Sequence, residues 1–77
     1  MVEFYFHYSN ADGVLIDRSG TAMANLAEAR EHAEWVVRSL VMAPGDEDWR
    51  NWVLHISDDH GDEIFDLPFR TVLGKPH

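Results

Sequence analysis

The 77 residues carry 14 aspartates and glutamates against 6 lysines and arginines, a formal charge of −8 at neutral pH, with five histidines and no cysteine. Such a chain lacks the basic footprint from which nucleic-acid binders draw their affinity, and anionic lipid surfaces repel it. No apolar run approaches the ~20 residues that spanning a bilayer requires, while Leu, Ile, Val and Phe supply about a quarter of the chain, enough for a folded core.

The length allows one domain, spanning residues 1–77 with an ordered core over about 2–69. Without thiols, disulfide staples, thiolate metal sites and thiol nucleophiles are excluded, so metal binding or self-association are the remaining ways to reinforce a small core. The N-terminal Met1-Val2-Glu3-Phe4-Tyr5-Phe6 shows no basic region followed by an apolar stretch and a cleavage site, which makes the cytoplasm the expected compartment.

Val2 to Tyr8 alternates, with Phe4, Phe6 and Tyr8 on one face and Glu3, Tyr5 and His7 on the other, the period of a half-buried strand. Ser9-Asn10-Ala11-Asp12-Gly13 supplies turn chemistry before the apolar run Val14-Leu15-Ile16, so a hairpin is predicted, ended by Asp17-Arg18-Ser19-Gly20. From Asn25 the period becomes helical. Leu26, Ala29, Ala33, Val36, Val37 and Leu40 recur at spacings of three and four, Asn25 is a suitable N-cap, and Pro44-Gly45 stops the helix near Ala43.

Past the acidic loop Gly45-Asp46-Glu47-Asp48, alternation returns in Trp52, Leu54 and Ile56 against Val53, His55 and Ser57. Asp58-Asp59-His60-Gly61 reads as a hairpin turn into a last strand from about Glu63 to Leu67, with Phe65, Leu67 and Phe69 on one face and Ile64 and Asp66 on the other. Pro68, which lacks a backbone donor, ends that strand or holds it at a sheet edge. Residues 70–77 carry little pattern and are expected to fray. The result is an α+β fold, β-β-α-β-β, with a four-stranded, mainly antiparallel sheet in the order 2-1-3-4 and one helix on one face.

Candidate chemistry rests on histidines and acids. His7 and His55 would share the open sheet face if the first and third strands are neighbours, and imidazole with carboxylate is a ligand set for divalent ions. His60 lies among Asp58, Asp59, Asp62 and Glu63, a turn too short for a calcium-binding EF-hand loop. Ser9, Ser19, Ser39 and Ser57 sit in no nucleophile elbow, and the isolated glycines form no phosphate-binding loop. Neither catalysis nor a cofactor is expected.

Two surfaces stand out instead. At 100° per residue, Trp35 and Met42 fall on the side of the helix opposite its apolar stripe, where they either anchor a partner or are covered by Trp49, the acidic loop or the tail. On the open sheet face, Tyr5, Val53 and Ile64 lie with His7, His55 and Asp66, a patch suited to homodimerisation through faces or edge strands.

In order along the chain, a phenylalanine-rich first strand ending in His7, Asp12-Gly13, Asp17-x-x-Gly20, Leu26-x-x-Ala29, Asp58-x-x-Gly61 and Leu67-Pro68-Phe69 resemble a family of short, uncharacterised, mainly alphaproteobacterial proteins. The resemblance spans about residues 3–69 and implies a bacterial cytosolic α+β domain of unknown function, with no catalytic residues to carry over. Asn25-Leu26-Ala27-Glu28-Ala29 is more loosely similar to the start of the helix in the N-terminal domain of HicB-type antitoxins. That second resemblance implies partner binding, without the separate DNA-binding segment that such antitoxins carry. The expected role is therefore a protein-interaction or regulatory module that self-associates, binding neither nucleic acid nor membrane; the alternative is a divalent-metal or small-ligand binder using His7 and His55.

Overall fold

A computed structural model describes residues 1–45 and 47–73; the Asp46 part of the acidic loop and residues 74–77 of the expected tail lie outside them. The elements are β1 (Val2–Asn10), β2 (Gly13–Leu15), β3 (Thr21–Met23), α1 (Leu26–Met42), β4 (Val53–Ser57), β5 (Glu63–Pro68) and α2 (Phe69–Leu73), with a 3-10 turn at Trp49–Asn51. The sheet runs β2-β1-β4-β5, every pairing is antiparallel, and β3 also pairs with β1. The predicted strand order holds, and the count rises from four to five. The added strand β3, Thr21–Met23, is too short to show alternation.

β1 is the organising strand. Tyr8↔Leu15 and Ser9↔Val14 join it to β2, Val2↔Met23 and Phe4↔Thr21 to β3, and Phe6↔Ile56 and His7↔His55 to β4. Cross-strand partners share a face, so Phe4, Phe6, Met23, Leu54, Ile56 and Leu67 form one buried layer. Helix α1 closes that layer with Ala29, Ala33 and Val37, spaced four apart and fully buried; two alanines at the contact let the helix backbone approach the sheet closely. Asn25 caps it as predicted, its Oδ1 accepting the Glu28 N–H at 2.9 Å. Leu26, expected in the buried stripe, is instead exposed. It opens the helix, and a helical side chain leans toward the N-terminus, here beyond the last turn able to cover it.

Two corrections concern the C-terminal part. Residues 70–73, expected to fray, belong to α2, which buries Phe69 and Val72. The Phe69 N–H donates to the Trp52 carbonyl at 2.9 Å, and its ring stacks on Trp49 with centroids 5.5 Å apart. Phe69 therefore serves the core from a helix rather than from the β5 face. In β5, Ile56 pairs with Phe65 but Ser57 pairs with Glu63, so Ile64 is an extra residue in a bulge. Ile64 is exposed there, and the bulge turns Glu63 onto the face of Ser57 and His55. Gly61, at φ +85°, closes the hairpin between β4 and β5 as the sequence suggested.

Among the described residues, no helix is long and apolar enough to cross a membrane.

Candidate functional site

The open face of the sheet brings the two histidines together. His7 and His55 are direct cross-strand partners, with Tyr5, Ser9, Val53 and Ser57 on the same face. One ring nitrogen of each already has a hydrogen-bond partner. His7 Nδ1 accepts the Asp17 N–H at 2.9 Å, which leaves the proton of the neutral ring on Nε2. His55 Nε2 lies 2.7 Å from Ser9 Oγ, and its Nδ1 lies 2.7 Å from Glu63 Oε1 without the alignment of a hydrogen bond.

Ser9, His55 and Glu63 thus follow one another as hydroxyl, imidazole and carboxylate, the sequence of groups that activates a serine nucleophile. Transition-state stabilisation needs donors aimed at the developing oxyanion, and the backbone at Ser9 is committed to pairing with β4. The three side chains tie β1, β4 and β5 together across the face. Metal binding finds little here: among the described residues, no group of three or more His, Asp or Glu side chains could hold an ion. A shallow cavity of about 370 Å³ between Tyr5, His7, Ser57 and the turn Asp58–Gly61 adjoins this face.

Asp17 links the open face to the other side of the sheet. Its Oδ2 accepts the Phe6 N–H at 3.1 Å, and its Oδ1 accepts the N–H groups of Ser19 and Gly20. Burial pushes the Asp17 carboxyl up, but these three N–H donors and the nearby His7 outweigh it and hold the group below its ordinary 3.8. Burial of its own hydroxyl, followed by the Asp17 charge, raises Tyr8 above 10.0, so Tyr8 stays protonated.

The helix side presents a more open apolar surface. Helix α1 packs over β3, β4 and β5, and between it and β2 runs a groove. One part, about 410 Å³, is lined by Phe6, Tyr8, Leu15, Ile16, His32 and Val36, with Asp17 and Thr21. An adjoining part, about 330 Å³, shares Tyr8, Leu15 and Val36 and continues to Leu40, Trp49, Trp52 and Glu47.

In the outer wall Leu15 and Ile16 are 61% and 55% exposed, and Val14, beside them on the other face, is 54% exposed. On the helix rim, Trp35 is 65% exposed and stacks on His32, whose ring meets Phe6 edge-on at 5.3 Å. Met42 is also exposed, and Trp49, which could have covered this side of the helix, packs against Phe69 and Trp52.

The sequence placed Trp35 and Met42 outside the core, and it placed Tyr5, Val53 and Ile64 on the open face. There Tyr5 and Val53 are only partly exposed, and Ile64 is displaced into the bulge. The groove itself was not foreseen. Its signal was the run Val14-Leu15-Ile16, three consecutive apolar residues in and just after β2, which alternation alone cannot bury on one face.

A family model described as "Domain of unknown function (DUF6894)" matches residues 3–70, in agreement with the resemblance to an uncharacterised family. No curated protein and no solved structure matches the chain.

Proposed function

The chain belongs to the DUF6894 family, a domain of unknown function, and from its surface we propose that it is a protein-interaction module whose contact site is the groove between β2 and α1. The exposure of Leu15 and Ile16 along the groove, with Val14 beside them on the other face of the strand, supports this reading. Apolar exposure concentrated on an edge strand, beside a cleft walled by Leu40, Trp49 and Trp52, is the surface type that partners cover. Trp35 and Met42 extend it over the helix rim, and Trp is among the residue types that carry most interface energy. The surrounding acidic residues keep the unbound domain soluble and set the sign of the field that an approaching partner meets. Self-association is the simplest version of this role, because a 77-residue chain gains burial that its own core cannot supply.

A photo-reactive p-benzoylphenylalanine in place of Trp35, in the full chain expressed in its native cell, tests the reading. A discrete protein adduct, to a second copy or to another protein, is expected, and Leu40→Glu in the groove is expected to abolish it. An adduct pattern no different from that of the same probe at exposed Glu28 would refute the site.

A further inference from the structure

We propose that two copies of this chain join through their β2 strands, in an antiparallel register centred on Leu15, so that their sheets become continuous. The inference rests on the interaction reading above and specifies its partner and geometry.

The backbone supplies the first argument. Asn10 and Gly13 close the first hairpin as cross-strand partners over a two-residue turn, which makes them a hydrogen-bonded pair. Antiparallel ladders alternate, so Leu15, two residues on, also directs its N–H and C=O at β1, whereas Val14 directs both outward. The Phe6 N–H, donated to Asp17, agrees with this phase, since even-numbered residues of β1 face the β2 side. β2 is a terminal strand of the sheet, and the outward groups of Val14 meet no further strand among the described residues. Such an edge is a template for another strand, and its side chains carry no charge between Gly13 and Ile16.

Phase then restricts the register. An outward-facing residue must meet an outward-facing residue, so a two-fold axis has to pass through a residue position rather than between two. With the axis at Leu15, Val14 of each copy exchanges hydrogen bonds with Ile16 of the other, and the two Leu15 side chains meet in a non-hydrogen-bonded pair at the mouths of their grooves. Beyond the ends of β2 the same axis brings Asp12, in the hairpin turn, toward Arg18 of the other copy. Both residues are exposed, and neither takes part in an ion pair among the described residues. An axis at Val14 would place Asp12 against Ile16, and one at Ile16 would place Val14 against Arg18. Only the Leu15 axis matches apolar with apolar and acid with base along Asp12-Gly13-Val14-Leu15-Ile16-Asp17-Arg18. Two exchanged charge pairs offset part of the repulsion between chains of charge −8, so added salt is expected to strengthen the association.

The cysteine-free sequence makes a direct test possible. Cysteines facing each other in a non-hydrogen-bonded pair are close enough to bridge, so Leu15→Cys in the full chain is expected to form an intermolecular disulfide under mild oxidation at least about tenfold faster than Val14→Cys or Ile16→Cys. Sedimentation of the unmodified chain supplies the second arm. A dimer at micromolar concentration is expected; Val14→Pro, which removes an outward N–H while sparing the β1 pairing, is expected to give a folded monomer by circular dichroism. Asp12→Arg is expected to weaken the dimer and Asp12→Arg with Arg18→Asp to restore it. Equal disulfide rates at the three positions, or a dimer indifferent to Val14→Pro, would overturn strand pairing. If that indifferent dimer is lost in Leu40→Glu, the groove is the contact and the interaction reading survives alone. A monomer with a foreign photo-adduct at position 35 likewise removes the pairing but keeps the groove.

Discussion

The Asp17 carboxylate accepts the backbone N–H of Phe6 at 3.1 Å, in the interval of β1 between the residues paired with β2 and those paired with β3. A side chain there does the work of an absent strand. It satisfies a donor that would otherwise be stranded beside the core, and its other oxygen holds the loop through Ser19 and Gly20.

Replacing that carboxylate removes three acceptor contacts. Asp17→Ala is expected to destabilise the domain by roughly 1–3 kcal/mol in urea titration, since a buried donor left unpaired carries its own desolvation cost. The pH dependence follows from a folded-state pKa below the ordinary 3.8. The stabilisation is complete above 3.8 and is lost as pH falls through the lower folded value. Urea titrations of the unmodified chain and of Asp17→Asn, carried from neutral pH down past 3.8, are expected to converge at the acid end; a gap independent of pH would contradict the assignment.

Gly20 and Gly61 separate backbone strain from crowding. Both have positive φ, +74° and +85°, where a Cβ is disfavoured by about 1–2 kcal/mol. At Gly61 the added atom meets open space, whereas at Gly20 it would lie 2.8 Å from Glu3 Oε1 and 3.0 Å from Tyr5 Cε2. Gly20→Ala is therefore expected to lower the urea midpoint clearly more than Gly61→Ala. Equal losses would mean that the Glu3 and Tyr5 side chains yield freely.

Phe69 joins α2 to the rest of the core, stacking on Trp49 and meeting Tyr8 edge-on at 6.4 Å. Phe69→Ala is expected to cost about 3–5 kcal/mol, most of what holds a domain of this size together. Near-ultraviolet circular dichroism, which reports the packed tryptophans, is expected to lose its native signal at room temperature. A chain ending at Pro68 is expected to behave alike, and native melting of that shorter chain would show α2 to be dispensable.

Trp35 provides the opposite case. Its exposed ring touches His32 but closes no cavity, so Trp35→Ala is expected to change stability by less than about 1 kcal/mol. The expected deficit is in association, read by sedimentation at several concentrations. A large stability loss with unchanged association would make the residue structural.

How much of this was legible from residue order depends on the length of the signal. Val2 to Tyr8 and Trp52 to Ser57 are long enough for alternation to speak, and Asn25, Gly61 and Pro68 each carry a local constraint that the fold obeys. β3 and α2 are three and five residues long, too short for either period to declare itself, and both are fixed by tertiary contacts of Met23 and Phe69. The bulge at Ile64 breaks the counting rule itself. Strict alternation puts Glu63 with Phe65 on the helix side, and one unpaired residue returns it to His55. His7 and His55 were correctly placed on one face, but Asp17, which occupies His7 from a loop ten residues away, left no periodic trace.

The register of β1 also constrains how long the loop between β2 and β3 can be. Partner numbers sum to 23 at Tyr8 and Leu15 and to 25 at Phe4 and Thr21, so the connection inserts an even number of residues and Met23 still points the way Leu15 does. Removing or adding a single residue between Ile16 and Gly20 would reverse that parity and turn Met23 out of the core and Ala22 into it. The loop can drift in composition, or lengthen by two, far more readily than it can change by one.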